Sequence, residues 1–189
     1  MEKNKKDYIE NIKKYIFYFI IFSIIGWLWE VLFHYIEVGE FVNRGMYHGP
    51  WTPIYGFGAL FIIILFEKYK STLKIFILSA LTCGLIEYFT GWFIEFTRGY
   101  KWWDYSEYIL NINGRVCLAS ICAFGLSGVI LIKFLLPIIK KYYSKINSKK
   151  FTIFLILISL LYLFDIGFSI YKPNMGNGIS KSIKDKINN

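Results

Sequence analysis

The sequence predicts an all-α fold: a polytopic transmembrane helix bundle of about five helices, the second of them short or re-entrant. Three observations carry this. Of 189 residues, 56% are hydrophobic and 19% charged, and the mean hydropathy is +0.44. The apolar residues are gathered into long runs, which is the membrane pattern. Most lysines fall between those runs, where basic residues set topology.

A bilayer core needs about 20 mostly apolar residues of helix. The first run extends from about Tyr15 to Ile36 and follows a basic stretch, residues 1–14. No small-residue cleavage site is visible after it, so it reads as a retained membrane helix. The second run, about Pro53 to Phe66, is short. It follows His48-Gly49-Pro50-Trp51-Thr52-Pro53, which suits a re-entrant segment. The third runs from about Leu73 to Phe96, the fourth from Val116 to Ile139, and the fifth from Phe151 to Tyr171. Residues 15–171 thus form the transmembrane domain, and 172–189 a polar tail expected to be flexible.

Loop charge orients the chain. With the N-terminus inside, the inner segments carry 13 Lys and Arg and the outer ones 8. The bias predicts a cytoplasmic N-terminus. A richness in Ile, Lys, Asn, Phe and Tyr suggests a bacterial plasma membrane as the setting.

The net charge of +9 reads as topogenic, not as a nucleic-acid footprint. The three cysteines, Cys83, Cys117 and Cys122, lie in or beside apolar runs without metal-ligand spacing. With His34 and His48 the only histidines, no metal site is expected, and no cofactor. No P-loop, Gly-x-Ser-x-Gly elbow or His-Glu-x-x-His motif occurs, so the chain is not itself an ATPase of the P-loop kind.

Ionisable groups within membrane helices are costly, and each is a functional-site candidate. Glu30, Glu87, Glu95 and Asp165 all fall in the outer half under this topology. Lys133 falls near the inner end of the fourth run, where it can snorkel. Cys83, Glu87, Gly91 and Glu95 share one face at a spacing of four, and Ser23, Gly26, Glu30 and His34 form a second stripe. Arg98 is placed to pair with Glu95 at i, i+3. All six tryptophans belong to the outer side. Two helices start there, with Pro53 suited to a first turn and Asn113-Gly114-Arg115 to a capped, anion-friendly start. Ordinary capping and helix-packing glue account for any one of these residues. Four acids at similar depth favour a site.

Six ordered stretches resemble a known family. They are Gly26-Trp27-x-x-Glu30, Asn43-Arg44-Gly45, His48-Gly49-Pro50-Trp51-x-Pro53-x-Tyr55-Gly56, Glu87-Tyr88-x-x-Gly91-x-x-x-Glu95, Trp103-Asp104-Tyr105-Ser106 and Asn113-Gly114-Arg115-Val116-Cys117-Leu118. Together they resemble the bacterial ABC transporter permease family also called ABC-transporter type IV or CmpB-like. The resemblance covers roughly residues 15 to 140. It implies a permease working with a separate ATPase subunit, and five helices suggest a homo-oligomer.

The residues expected to hold a ligand are Glu30, Asn43, Arg44, His48, Glu87, Glu95, Trp103, Asp104, Asn113 and Arg115. Two alternatives stay open. One is a membrane enzyme acting on a lipid or lipid-linked phosphate, with Glu87, Glu30 or His48 as base and Arg44 and Arg115 on the phosphate. The other is a non-catalytic lipid-binding scaffold.

Overall fold

The computed structural model describes residues 2–146 and 148–174, with side chains from residue 7 on. Residues 175–189, most of the expected tail, lie outside the described residues. Among the described residues there are five helices and no strand. They are α1 (Glu2–Val38), α2 (Pro53–Phe66), α3 (Thr72–Arg98), α4 (Leu118–Ile146) and α5 (Lys149–Tyr171). All but α2 are long and apolar enough to cross a membrane. The all-α membrane class predicted from the sequence is the one observed.

Boundaries follow from local chemistry. α3 starts where the Ser71 side chain accepts from the Lys74 amide, and ends at Gly99, whose φ of 74° suits a left-handed cap. α4 begins two residues later than expected, because Cys117 and Ser120 form a reciprocal capping box. It also runs past Ile139 to Ile146, through a π-helical turn at Leu131–Leu135. Lys133 in that turn donates to the carbonyl of Lys70 at 2.7 Å. The basic stretch before Tyr15 continues α1 as helix rather than preceding it.

The described residues divide into two compact units, 2–60 with 137–146 and 148–174, and 61–136. In the first unit α1 and α5 run parallel. At one end Tyr143 donates to Glu10 at 2.8 Å, and the rings of Phe17 and Phe151 lie 5.5 Å apart. At the other end Asn174 bonds the backbone of Asn43, Gly45 and Met46. The start of α2 packs closely on α1. A side chain at Gly56 would strike Ser23 and Phe19, and one at Gly26 would strike Tyr55.

In the second unit α3 and α4 form an antiparallel pair. Gly84 faces Ile121 and Gly125 faces Phe76, while Gly128 meets Ser79. These small residues allow the backbones to approach where no water-driven force assists packing.

Candidate functional site

The ten residues predicted to bind a ligand fall in both units. Glu30, Asn43, Arg44 and His48 belong to the first; Glu87, Glu95, Trp103, Asp104, Asn113 and Arg115 belong to the second.

In the first unit they surround an irregular segment, residues 39–52. The segment does not stay at the end of α1. The Thr52 amide donates to the carbonyl of Ser23 at 3.0 Å, and Ser23 is near the middle of the Asp7–Val38 span. Trp51 packs on Tyr162 of α5, with ring centroids 5.0 Å apart. Residues 43–52 therefore turn back alongside the helices, and α2 starts within the unit. At 14 residues α2 is roughly 21 Å long, short of a bilayer core of about 30 Å. Of the short or re-entrant second helix expected from the sequence, the short one is observed.

Non-helical backbone at such depth must be satisfied by the protein or by water. Asp165, 9% exposed, supplies much of what is needed. It accepts from the amides of His48 (3.3 Å) and Gly49 (3.1 Å), the indole of Trp51 (2.7 Å) and the hydroxyl of Ser169 (3.3 Å). Asn43 works from the segment's other side. Its Oδ1 accepts from the Trp27 indole at 2.7 Å, and its Nδ2 donates to the carbonyl of His48 at 2.9 Å. His48 Nε2 meets the carbonyl of Lys172.

Two of the four residues are less committed. Glu30 accepts from the hydroxyl of Tyr55 in the first turn of α2. Arg44 is half-buried and makes no hydrogen bond or ion pair among the described residues.

In the second unit the polar residues fasten the segment 99–117 onto α3 and α4. Glu87, 8% exposed, accepts from Tyr105 at 3.2 Å and Ser120 at 3.0 Å. Arg115 binds one oxygen of Glu95 through Nε (3.2 Å) and Nη2 (2.8 Å), and lies over the Tyr88 ring. Glu95 thus pairs with Arg115, not with Arg98 as the helical spacing suggests. Asn113 donates to the Tyr88 hydroxyl. It does not cap α4; with φ at 54° it serves the turn before it. Trp103 donates to the carbonyl of Arg115 at 2.8 Å and covers Gly91. Asp104 accepts from Ser106 and pairs with Lys101 at 3.5 Å. The Ser106 hydroxyl, with Lys101 adding to it, holds the Asp104 carboxyl below its usual pKa.

The tryptophans sort by role. Trp27, Trp51 and Trp103 each donate an indole N–H within their unit. Trp29 and Trp92 are exposed, at 59% and 47%, as in an interfacial belt. Sequence reasoning placed Asp165 among the membrane acids but missed its service to residues 48–51. The only signal was a lone acid in an apolar helix, which does not name its partners.

The model of the family described as "Putative ABC-transporter type IV" matches residues 17–170. The match takes in α5, which the motif resemblance alone left out. Comparison with curated proteins and with solved structures gives no match.

Proposed function

The chain belongs to the ABC-transporter type IV family, and on that premise we propose that it is a permease or substrate-binding membrane subunit served by a separate ATPase. It sits in a bacterial cell membrane with its N-terminus in the cytoplasm. Single copies of five helices assemble into a larger complex.

The observation that carries this reading is the half-length α2 preceded by a non-helical segment lodged against α1 and α5. Broken helices of this kind line substrate paths in transporters, because their free backbone ends can meet polar cargo inside the bilayer. The Thr52 hydroxyl at the start of α2 is buried and has no hydrogen-bond partner among the described residues. Arg44 and Glu30 are the groups left to contact a ligand in this unit, while Asn43 and His48 shape the segment that carries them. In the second unit the bonds made by Glu87, Glu95, Trp103, Asp104, Asn113 and Arg115 support a role in holding the ligand-facing surface. This favours binding over catalysis, since Glu87 is buried and already hydrogen-bonded by two hydroxyls.

Affinity purification from native membranes in mild detergent, with mass spectrometry of all retained proteins, tests the proposal. Recovery of a P-loop ATPase in fixed ratio supports it, and scrambling residues 67–74 should then abolish function. Purification with no ATPase, together with an intact phenotype after that scrambling, rejects it.

A further inference from the structure

The turn at residues 105–116, between α3 and α4, presents apolar side chains where a loop in water presents polar ones. Among the described residues Ile109 is 81% exposed and Leu110 71%, and Tyr108 and Ile112 are exposed beside them. The polar side chain in their midst, Asn111, is used on the turn's own backbone. Its Nδ2 donates to the carbonyls of Ser106 (3.1 Å) and Tyr108 (3.0 Å), and its Oδ1 accepts from the Gly114 amide at 3.1 Å. The Tyr108 amide donates to the carbonyl of Tyr105, and the Ile112 amide to that of Val116, both at 2.9 Å. Backbone satisfied in this way is what irregular structure needs next to lipid. Leu110 has a φ of 54°, in the left-handed region where glycine or asparagine is the ordinary choice. Strain held at an exposed leucine points to a use for its side chain.

The apolar patch does not end with the turn. Leu118, Cys122, Leu126 and Ile130 follow at a spacing of four, all exposed, and form one stripe along α4. From Leu118 on, α4 is apolar and long enough to cross a membrane, so the stripe lies at bilayer depth. A groove runs between the two parts of the patch. Tyr108 and Ile109 line it from the turn, and Leu118, Ala119 and Cys122 from the first two turns of α4. No charged side chain lines it. Exposed Glu107 and Asn113 bracket the apolar run of the turn, as suits a segment whose ends meet the headgroup level.

We propose that this turn inserts into the bilayer beside α4, and that its groove holds an acyl chain of a bilayer phospholipid. An exposed apolar patch marks an interaction site, and continuity with the membrane-depth stripe of α4 identifies hydrocarbon as the occupant. The inference uses none of the ten residues assigned to the transport ligand and survives the failure of that reading.

The test uses the full chain in phosphatidylcholine nanodiscs containing a trace of phosphatidylcholine with a diazirine in its acyl chain. After irradiation, adducts are mapped by proteolysis and mass spectrometry. Wild type should carry adducts on residues 108–112 and on Leu118 and Cys122, at a yield near that of Leu126 deeper on the stripe. Ile109→Asp with Leu110→Asp should lower the yield at Leu118 and Cys122 by about tenfold or more, and leave Leu126 unchanged. Ile109→Leu should preserve the wild-type pattern. If the double variant does not fold, Ile109→Ser is read instead, with the same direction expected. Absence of adducts from residues 108–112 in wild type overturns the proposal, as does an unchanged yield at Leu118 and Cys122 in the substituted turn. Disulfide-linked dimers through Cys122 in place of lipid adducts overturn it in favour of a contact between copies of the chain.

Discussion

The indole N–H of Trp51 donates to Oδ2 of Asp165 at 2.7 Å, joining the end of an irregular segment to a helix 114 positions away. Asp165 also takes the two amides just before Trp51 in that segment. One carboxylate thus satisfies three donors that would otherwise be unmet within a membrane protein, where each costs several kcal/mol.

Asp165→Ala should therefore destabilise the protein by about 2–4 kcal/mol, from lost charge-assisted bonds and donors left buried. Ser169→Ala, which removes one 3.3 Å contact, should cost about 1 kcal/mol or less. Thermal unfolding in a single detergent compares the two. Equal shifts would mean that Asp165 does not organise the segment.

Gly56 and Gly26 mark the close approach of α2 and α1. Gly56→Val should cost about 1–3 kcal/mol by overpacking against Ser23 and Phe19. Gly167→Val, where nothing among the described residues lies within 4 Å, should leave the melting temperature nearly unchanged. A neutral Gly56→Val would contradict the packing described.

The two arginines of the predicted site should separate by experiment. Arg115→Gln leaves Glu95 without its cation and should lower stability by about 1–3 kcal/mol. Glu95→Gln added to it should restore part of the loss. Arg44→Gln removes no bond among the described residues and should leave stability within about 0.5 kcal/mol, while reducing transport-linked growth or uptake. A stability loss at Arg44 that matched the one at Arg115 would remove the basis for its ligand role.

Asp104 gives a pH dependence of known sign. Its carboxyl pKa is lowered by Ser106, so it contributes stability above the unfolded value of 3.8 and loses it as pH falls through the lower folded value. The segment 99–117 should hold from neutral pH to about pH 4 and loosen only below that. Ser106→Ala should bring the onset to higher pH. Tryptophan fluorescence of a variant retaining only Trp102 and Trp103 reads it, and an onset unmoved by Ser106→Ala would deny the assigned cause.

The helices were legible because hydrophobic run length is set by the bilayer, and α2 matches its expected bounds of Pro53 and Phe66. The two stripes were legible because a period of four places residues on one face. Ser23, Gly26 and Glu30 do meet the first turn of α2, and Glu87, Gly91 and Glu95 do meet the segment 99–117. What spacing could not supply was the partner from elsewhere in the chain. Glu95 has Arg98 three residues away, yet Arg115 reaches it from a segment whose path depends on Gly114 and Asn113 at positive φ. Asn113 resembled a cap for the same reason: its side chain suits several turns, and tertiary contacts choose among them.

The central claim is that residues 43–52 form a polar, ligand-reachable element inside the first unit. Single cysteines at Arg44 and Thr52 test it most directly, in a background lacking Cys83, Cys117 and Cys122, with exposed Leu28→Cys as the apolar control. Intact membranes are treated with a small membrane-impermeant thiol reagent. The account predicts labelling at Arg44→Cys, slower but measurable labelling at Thr52→Cys, and none at Leu28→Cys. Labelling at both segment positions no greater than at Leu28→Cys would contradict it and leave the segment a sealed structural plug.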